Sequence, residues 1–140
     1  MRIFLDANIL VSVLNKEYPL FSYSARIVSL TDHKGFEVFT SPICLAIAFY
    51  FDEKKNKKTD REKIGLLSEN LSVAAISDTT VRKAARNSAI HDFEDGLEYY
   101  AALESKCDCI ISEDVKDFYF SAIEVISGEG FFEKYLTSKK

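Results

Sequence analysis

Residues 91–118, HDFEDGLEYYAALESKCDCIISEDVKDF, carry acidic side chains at both ends of one helix and strand unit. Apolar residues at helical spacing predict a helix over 92–104, and acids at its start suit the positive end of the helix dipole. The short apolar run 107–112 is bounded by charge, which is typical of a strand buried on both faces of a parallel sheet. Asp92 and Asp95 therefore begin the helix, and Asp114 and Asp117 follow the strand.

A second acidic position follows the first apolar run of the chain, where the predicted strand 3–5 ends on Asp6. Residues just past the carboxyl ends of parallel strands gather along one edge of the sheet, where ligands bind. We therefore expect Asp6, Asp114 and Asp117 to meet, and Asp95 to join them if its helix packs across that edge. Carboxylates that close repel one another unless a cation neutralises them. The pattern predicts a hard divalent cation with oxygen ligands.

The rest of the chain alternates strands and helices in the α/β manner, which predicts a single parallel sheet. The 140 residues suit one domain over 1–140 that buries a core of its own. The predicted strands are 3–5, 36–40, 73–76, 107–112 and 123–126. The predicted helices are 9–14, 22–33, 43–51, 61–71, 81–88, 92–104 and 131–136.

Composition narrows the class of protein. A content of 47% hydrophobic and 29% charged residues is ordinary for a soluble globular protein. The three cysteines are odd in number, lie in apolar segments and lack zinc spacing, so we expect buried, reduced thiols. No signal peptide is recognisable, and no apolar run approaches the roughly 20 residues that span a bilayer. We expect a cytoplasmic protein that does not associate with a membrane.

The net charge of -4 argues against broad coating of nucleic acid, which needs a basic surface. It leaves a nuclease open, because an acidic centre lowers the total while local lysines still hold a phosphate backbone. One basic run is a candidate for such a contact, although a solvated loop is the more frequent role of such runs. It comprises Lys54, Lys55, Lys57, Lys58, Arg61 and Lys63.

Each acid also has a purely structural explanation. Asp6 is suited to cap the helix that follows it, and Asp95 is an ordinary acid for a first helical turn. Asp114 and Asp117 are suited to an Asx turn, and Asp92 to helix capping. Taken one at a time, these residues do not decide between structure and function. Their arrangement at both ends of the chain favours a metal site.

Three segments together resemble the PIN domain family, in particular the small bacterial PIN-like proteins related to VapC-type toxins. These segments are FLDANIL at 4–10, SPICLAIAFY at 41–50, and the acidic unit at 92–118. The resemblance implies a three-layer α/β fold, with a central parallel sheet of about five strands flanked by helices. It also implies hydrolysis of RNA phosphodiester bonds by an acidic cluster that binds one or two magnesium or manganese ions.

The resemblance assigns roles to individual residues. The catalytic and metal-binding acids fall on Asp6, Asp95, Asp114 and Asp117, and the supporting residues are Asn8, Asp92 and Ser112. Many members carry a glutamate in the helix after the second strand, but here Ala46 or Ile47 stands at that position. The site is therefore expected to lose one ligand, with Asp92 or Glu94 as compensating acids.

The leading hypothesis is thus a metal-dependent endoribonuclease, the toxin component of a toxin–antitoxin pair. The resemblance implies an RNA substrate, an antitoxin partner and a homodimer, for which the apolar helix 43–51 offers a surface. The alternative is a catalytically degenerate PIN-fold module that binds RNA or protein. A phosphatase with Asp6 as nucleophile is disfavoured, because that chemistry typically needs a second Asp where this chain has Asn8.

Overall fold

The computed structural model describes residues 1–55 and 60–137 of the chain. Five strands in this part form one sheet in the order β3-β2-β1-β4-β5, and every neighbouring pair is parallel. The strands are β1 (Arg2–Leu5), β2 (Glu37–Thr40), β3 (Ser72–Val73), β4 (Cys109–Ile111) and β5 (Glu124–Ile126). The predicted parallel sheet of about five strands is confirmed.

Helices connect and flank these strands. They are α1 (Ala7–Leu14), α2 (Leu20–Val28), α3 (Pro42–Lys55), α4 (Asp60–Asn70), α5 (Asp78–Arg86), α6 (Phe93–Glu104) and the short α7 (Gly128–Phe131). Successive residues Ile3, Phe4 and Leu5 of the central strand are fully buried. Because neighbouring residues of a strand point to opposite faces, both faces of the sheet must be covered. The three-layer α/β architecture follows.

The register brings the carboxyl ends of β1, β4 and β5 level with one another. Leu5 is paired with Ile111, and Ile111 with Ile126. Beyond these pairs, the Asp6 N–H donates to the Ile111 carbonyl at 3.0 Å, and the Ser112 N–H donates to the Ile126 carbonyl at 3.0 Å. Asp6 and Ser112 therefore lie side by side at one edge of the sheet.

Several element boundaries differ from those predicted. The predicted helix 22–33 is divided, because the chain tightens into a 3₁₀ turn (Ser29–Asp32) after α2. The predicted strand 73–76 is shorter and begins earlier, as expected of an edge strand that pairs only with β2. The predicted helix 131–136 begins earlier as α7, capped by Ser127, and then widens into a π-helical turn (Phe132–Leu136).

Three sequence expectations can be compared with this fold. The cysteines Cys44, Cys107 and Cys109 are buried and free, as predicted. Within the described ranges, no helix combines the length and apolarity needed to cross a bilayer. In the basic run, Lys63 donates to the Leu14 carbonyl at 3.4 Å, and the other side chains lie outside the described residues.

Candidate active site

Asp6 lies at the centre of the acidic edge and is only 7% exposed. It caps α1, because its Oδ1 accepts a 2.7 Å hydrogen bond from the Ala7 N–H. Its other oxygen, Oδ2, accepts a 2.6 Å hydrogen bond from the Ser112 hydroxyl. The capping explanation of Asp6 is therefore correct, and it is compatible with a second role for Oδ2 at the edge of the sheet.

Asn8 links the two acidic loops. Its Nδ2 lies 3.1 Å from Asp114 Oδ2, 3.3 Å from Ser112 Oγ and 3.5 Å from Asp6 Oδ2. Its carbonyl Oδ1 accepts a 3.1 Å bond from the Glu113 N–H. One side-chain amide thus fixes the loop after β4 against the start of α1, which brings Asp6, Asp114 and Ser112 together.

Helix α6 brings its first-turn acids to the same edge. Asp92 caps this helix, accepting from the N–H groups of Glu94 at 2.9 Å and Asp95 at 3.2 Å. Asp95 is half-buried. Burial, followed by the charges of Asp92 and Asp6, raises the pKa of Asp95 to about 7. The charges of the neighbouring acids therefore disfavour the ionised form of Asp95 in the absence of a cation.

Two residues that the sequence did not single out lie beside Asp6. One ligand atom each from Asp6, Cys44 and Glu98 lies within 4.8 Å of the other two. Glu98 is only 1% exposed, and its Oε1 accepts a bond from the Cys44 thiol, with Sγ at 3.2 Å. Burial raises the pKa of Glu98, with further contributions from Asp6, and burial also raises the pKa of Cys44.

A signal for Glu98 was present in the sequence. It follows Asp95 by three residues, which places the two carboxylates on one face of a helix. It also interrupts an otherwise apolar and small-residue run. The spacing of the apolar residues alone predicts the helix 92–104 and does not indicate that a charged residue shares its buried face.

The acids surround a cavity of about 600 Å³ at the carboxyl edge of the sheet. Four of the seven predicted site residues line this cavity. Asp6, Asn8, Asp95 and Asp114 form part of its wall, together with Glu94, Glu98 and Glu113. Asp117 is exposed in the 3₁₀ turn Val115–Phe118 and is not among the lining residues, although its charge contributes to the raised pKa of Asp95.

The two α3 residues at which the resemblance led us to expect a glutamate are apolar. Ala46 is exposed, and Ile47 lines the cavity. Of the two acids expected to compensate, Glu94 lines the cavity, whereas Asp92 caps α6. The wall contributed by α3 therefore presents a hydrocarbon side chain to the acids.

The chemistry of this donor set fits a divalent cation. No ion pair among the described residues involves Asp6, Asp95, Glu98 or Asp114; the pairs found there lie elsewhere on the surface. Buried carboxylates without a cationic partner are costly. Oxygen-rich sites of this kind suit hard cations such as Mg²⁺ and Mn²⁺.

The fold and the site define an α/β protein with an acidic pocket, suited to bind a metal ion, at the carboxyl edge of a parallel sheet. Comparison with known proteins makes this more specific. The chain belongs to the PIN domain family, whose model matches residues 2–116. The predicted resemblance is confirmed.

Individual relatives agree in length and fold. The chain is 27% identical over 140 residues to Ribonuclease VapC1 of Aquifex aeolicus (strain VF5), covering 97% of this chain and 96% of the relative. Among solved structures, it is similar to a chain of VapBC2 from Rickettsia felis bound to a promoter DNA fragment, with a TM-score of 0.69 and 20% identity. That match covers 91% of this chain and 98% of the other. VapBC-1 from nontypeable Haemophilus influenzae also gives a TM-score of 0.69, with 19% identity and coverage of 92% and 99%.

Proposed function

We propose that this protein is an endoribonuclease that hydrolyses RNA phosphodiester bonds with the help of magnesium or manganese. The observation that carries the proposal is the convergence of Asp6, Asp95 and Asp114 on one cavity, with no cationic partner among the described residues. Membership of the PIN domain family and the similarity to a protein named Ribonuclease VapC1 support it.

The proposed roles follow from the contacts of each side chain. Asp6 and Asp95 hold the cation, because both line the cavity and neither forms an ion pair with a basic residue among the described residues. Asp114 shares this task beside Asp6, because Asn8 Nδ2 lies 3.1 Å from its carboxylate. Asp117 acts at longer range, through its charge, from the exposed turn.

A divalent cation held by these carboxylates would acidify a water for use as nucleophile and would neutralise charge on the phosphate. The protein groups around it fix the carboxylates in place. The Ser112 hydroxyl and the Ala7 N–H together satisfy both oxygens of Asp6, which leaves that carboxylate a single orientation. Asp92 caps α6 and so fixes the backbone that carries Asp95. Asn8, Asp92 and Ser112 are thus proposed as positioning residues.

We further propose that the protein is the toxin of a toxin–antitoxin pair, with RNA as substrate and an antitoxin protein as inhibitor. The similarity to chains solved as VapBC assemblies supports this proposal. A homodimer remains a prediction; Tyr50 and Phe51 of α3 are 52% and 46% exposed and are suited to such an interface. The degenerate binding module is not favoured, because the acids retain one shared cavity.

The test is cleavage of a mixed, end-labelled RNA pool by purified protein in magnesium, in manganese and in chelator. Asp6→Asn and Asp95→Asn are assayed beside the wild type, with Asp32→Asn, an exposed acid of the turn after α2, as a matched control. We expect metal-dependent cleavage that both site variants lose and the control keeps. Cleavage that survives in both site variants would point to a contaminating nuclease and contradict the proposal.

A further inference from the structure

The cavity wall formed by α3 lacks the oxygen ligand that its family position would supply. Ala46 or Ile47 stands there, and of these two Ile47 lines the cavity. A hydrocarbon side chain cannot coordinate a cation, so the metal site described above is one carboxylate short on this side.

Glu98 approaches the same space from α6. It lines the cavity, is only 1% exposed, and lies within 4.8 Å of Asp6 and Cys44 by their ligand atoms. It stands three residues after Asp95 and so shares a helix face with it. The helix that carries one proposed ligand therefore presents a second carboxylate deeper in the pocket.

The surroundings of Glu98 do not suit a purely structural carboxylate. A buried acid is normally satisfied by N–H groups, hydroxyls or a basic side chain. The hydrogen bond described for Glu98 comes instead from the Cys44 thiol, at 3.2 Å from Oε1, and a thiol is a weak donor. Its other hydrogen-bond partner, Asp6, is itself a carboxylate, so the two acids lie against each other without a basic side chain among the described residues.

Cys44 is well placed to orient this carboxylate. It is fully buried in the first turn of α3, and its own N–H donates to Ser41 Oγ at 3.1 Å. Ser41 follows β2 directly, so the thiol is held by the same sheet edge that holds Asp6. The thiol thereby holds Oε1 of Glu98 in a defined position.

We propose that Glu98, oriented by the Cys44 thiol, is a ligand of the divalent cation and replaces the carboxylate that α3 lacks. This inference rests on the proposed function and adds to its metal site a residue from a different helix. Cys44 is a positioning residue and does not contact the cation. The recognised species is a hard divalent ion, which prefers carboxylate oxygens.

The experiment is titration of the purified protein with Mn²⁺ alone, followed by the loss of the electron paramagnetic resonance signal of the free ion. Glu98→Gln is nearly isosteric and removes the charge, and Glu69→Gln, on the exposed end of α4, makes the same chemical change away from the site. We expect Glu98→Gln to weaken Mn²⁺ binding by about tenfold or more. We expect Glu69→Gln to bind as the wild type does.

Melting temperatures show whether a loss of Mn²⁺ binding results from unfolding of the variant. In chelator, Glu98→Gln should be at least as stable as the wild type, because it removes a buried carboxylate that faces Asp6. With Mn²⁺ its melting temperature should rise less than that of the wild type. Cys44→Ala should also weaken Mn²⁺ binding, whereas Cys44→Ser keeps a donor and should restore it.

The outcomes separate this inference from the proposed function. If Glu98→Gln binds Mn²⁺ as tightly as the wild type while RNA cleavage is metal-dependent, the inference is overturned and the ribonuclease function stands. If Mn²⁺ binding depends on Glu98 but the wild type cleaves no RNA, the inference holds and the ribonuclease function fails. A wild-type protein that binds no Mn²⁺ overturns both.

Discussion

The Ser112 hydroxyl lies 2.6 Å from Asp6 Oδ2 and joins the ends of two neighbouring strands at the acidic edge. The same Oγ accepts from the Asp114 N–H at 3.0 Å. A single hydroxyl therefore sets the orientation of one proposed ligand and the start of the loop that carries another. Because parallel strands β1 and β4 are in register here, this contact follows directly from the fold.

Ser112→Ala should reduce metal-dependent RNA cleavage by about tenfold, the scale typical of residues that orient metal ligands. The substitution leaves Asp6 without its hydroxyl donor, so the carboxylate gains rotational freedom. Ser112→Thr keeps the hydroxyl and should retain most of the activity. Single-turnover cleavage rates measure the effect, and equal rates for Ser112→Ala and wild type would show that this bond does not position Asp6.

Asn8→Asp should destabilise the metal-free protein and make its stability more dependent on metal. The change removes the amide that lies 3.1 Å from Asp114 and 3.5 Å from Asp6, and it places a third carboxylate between them. Melting temperatures in chelator and in Mn²⁺ measure both effects. Asn8→Ala, which loses the amide without adding charge, is the control and should show a smaller gain from Mn²⁺. A metal-free melting temperature equal to that of the wild type would contradict the prediction.

The stability of the metal-free protein should fall as pH rises from about 4 to about 7, through the contribution of Asp95. Burial and neighbouring acids raise its folded pKa to about 7, whereas an Asp in the unfolded chain titrates near about 3.9. In that window the folded state holds a proton that the unfolded state has released, so stability decreases with pH.

Denaturant unfolding in chelator at a series of pH values gives the free energy of unfolding of the wild type and of Asp95→Asn. The difference between the two proteins at each pH is the contribution of Asp95. The free energy of unfolding of the variant should fall less steeply with pH than that of the wild type. The variant should therefore become more stable than the wild type by a margin that grows towards neutral pH. Parallel curves for the two proteins across this range would show that Asp95 has no raised pKa. Added Mn²⁺ should reduce the decline, because a bound cation favours the deprotonated carboxylate.

Ser77→Ala should lower the free energy of unfolding by about 1 kcal/mol, as loss of a helix cap usually does. Ser77 Oγ accepts from the Thr80 N–H at 3.3 Å, and Thr80 Oγ1 accepts from the Ser77 N–H at 3.1 Å, which forms a capping box at the start of α5. Cleavage per folded molecule should not change, since α5 provides no lining residue of the acidic cavity. A large loss of cleavage with stability unchanged would show that α5 takes part in the site.

The sheet and most of the acidic edge could be predicted because they depend on local patterns. Asp6 follows an apolar run, and the parallel arrangement then determines which strand ends lie beside it. The exact ends of α2 and β3 could not be predicted, because tightening of a final turn and pairing at an edge depend on contacts with the rest of the fold.

Two parts of the site needed the structure. The end of a parallel strand and the family resemblance predict Asp117 at the acidic edge, but it lies exposed in a 3₁₀ turn and is not among the residues that line the cavity. Glu98 was missed because a helical pattern does not reveal which core-facing position lies opposite Asp6. That opposition is set by the packing of α6 against α3 and the sheet, which brings Cys44 and Glu98 into contact.

The most direct test of the central claim is the rate of RNA cleavage as a function of free Mn²⁺, measured for the wild type and Asp6→Asn on one defined RNA. The account predicts that the wild-type rate saturates at the Mn²⁺ concentration that fills the site in the binding titration. It also predicts that Asp6→Asn loses both binding and cleavage. Wild-type cleavage that persists in excess chelator, or cleavage by Asp6→Asn at the wild-type rate, would contradict it.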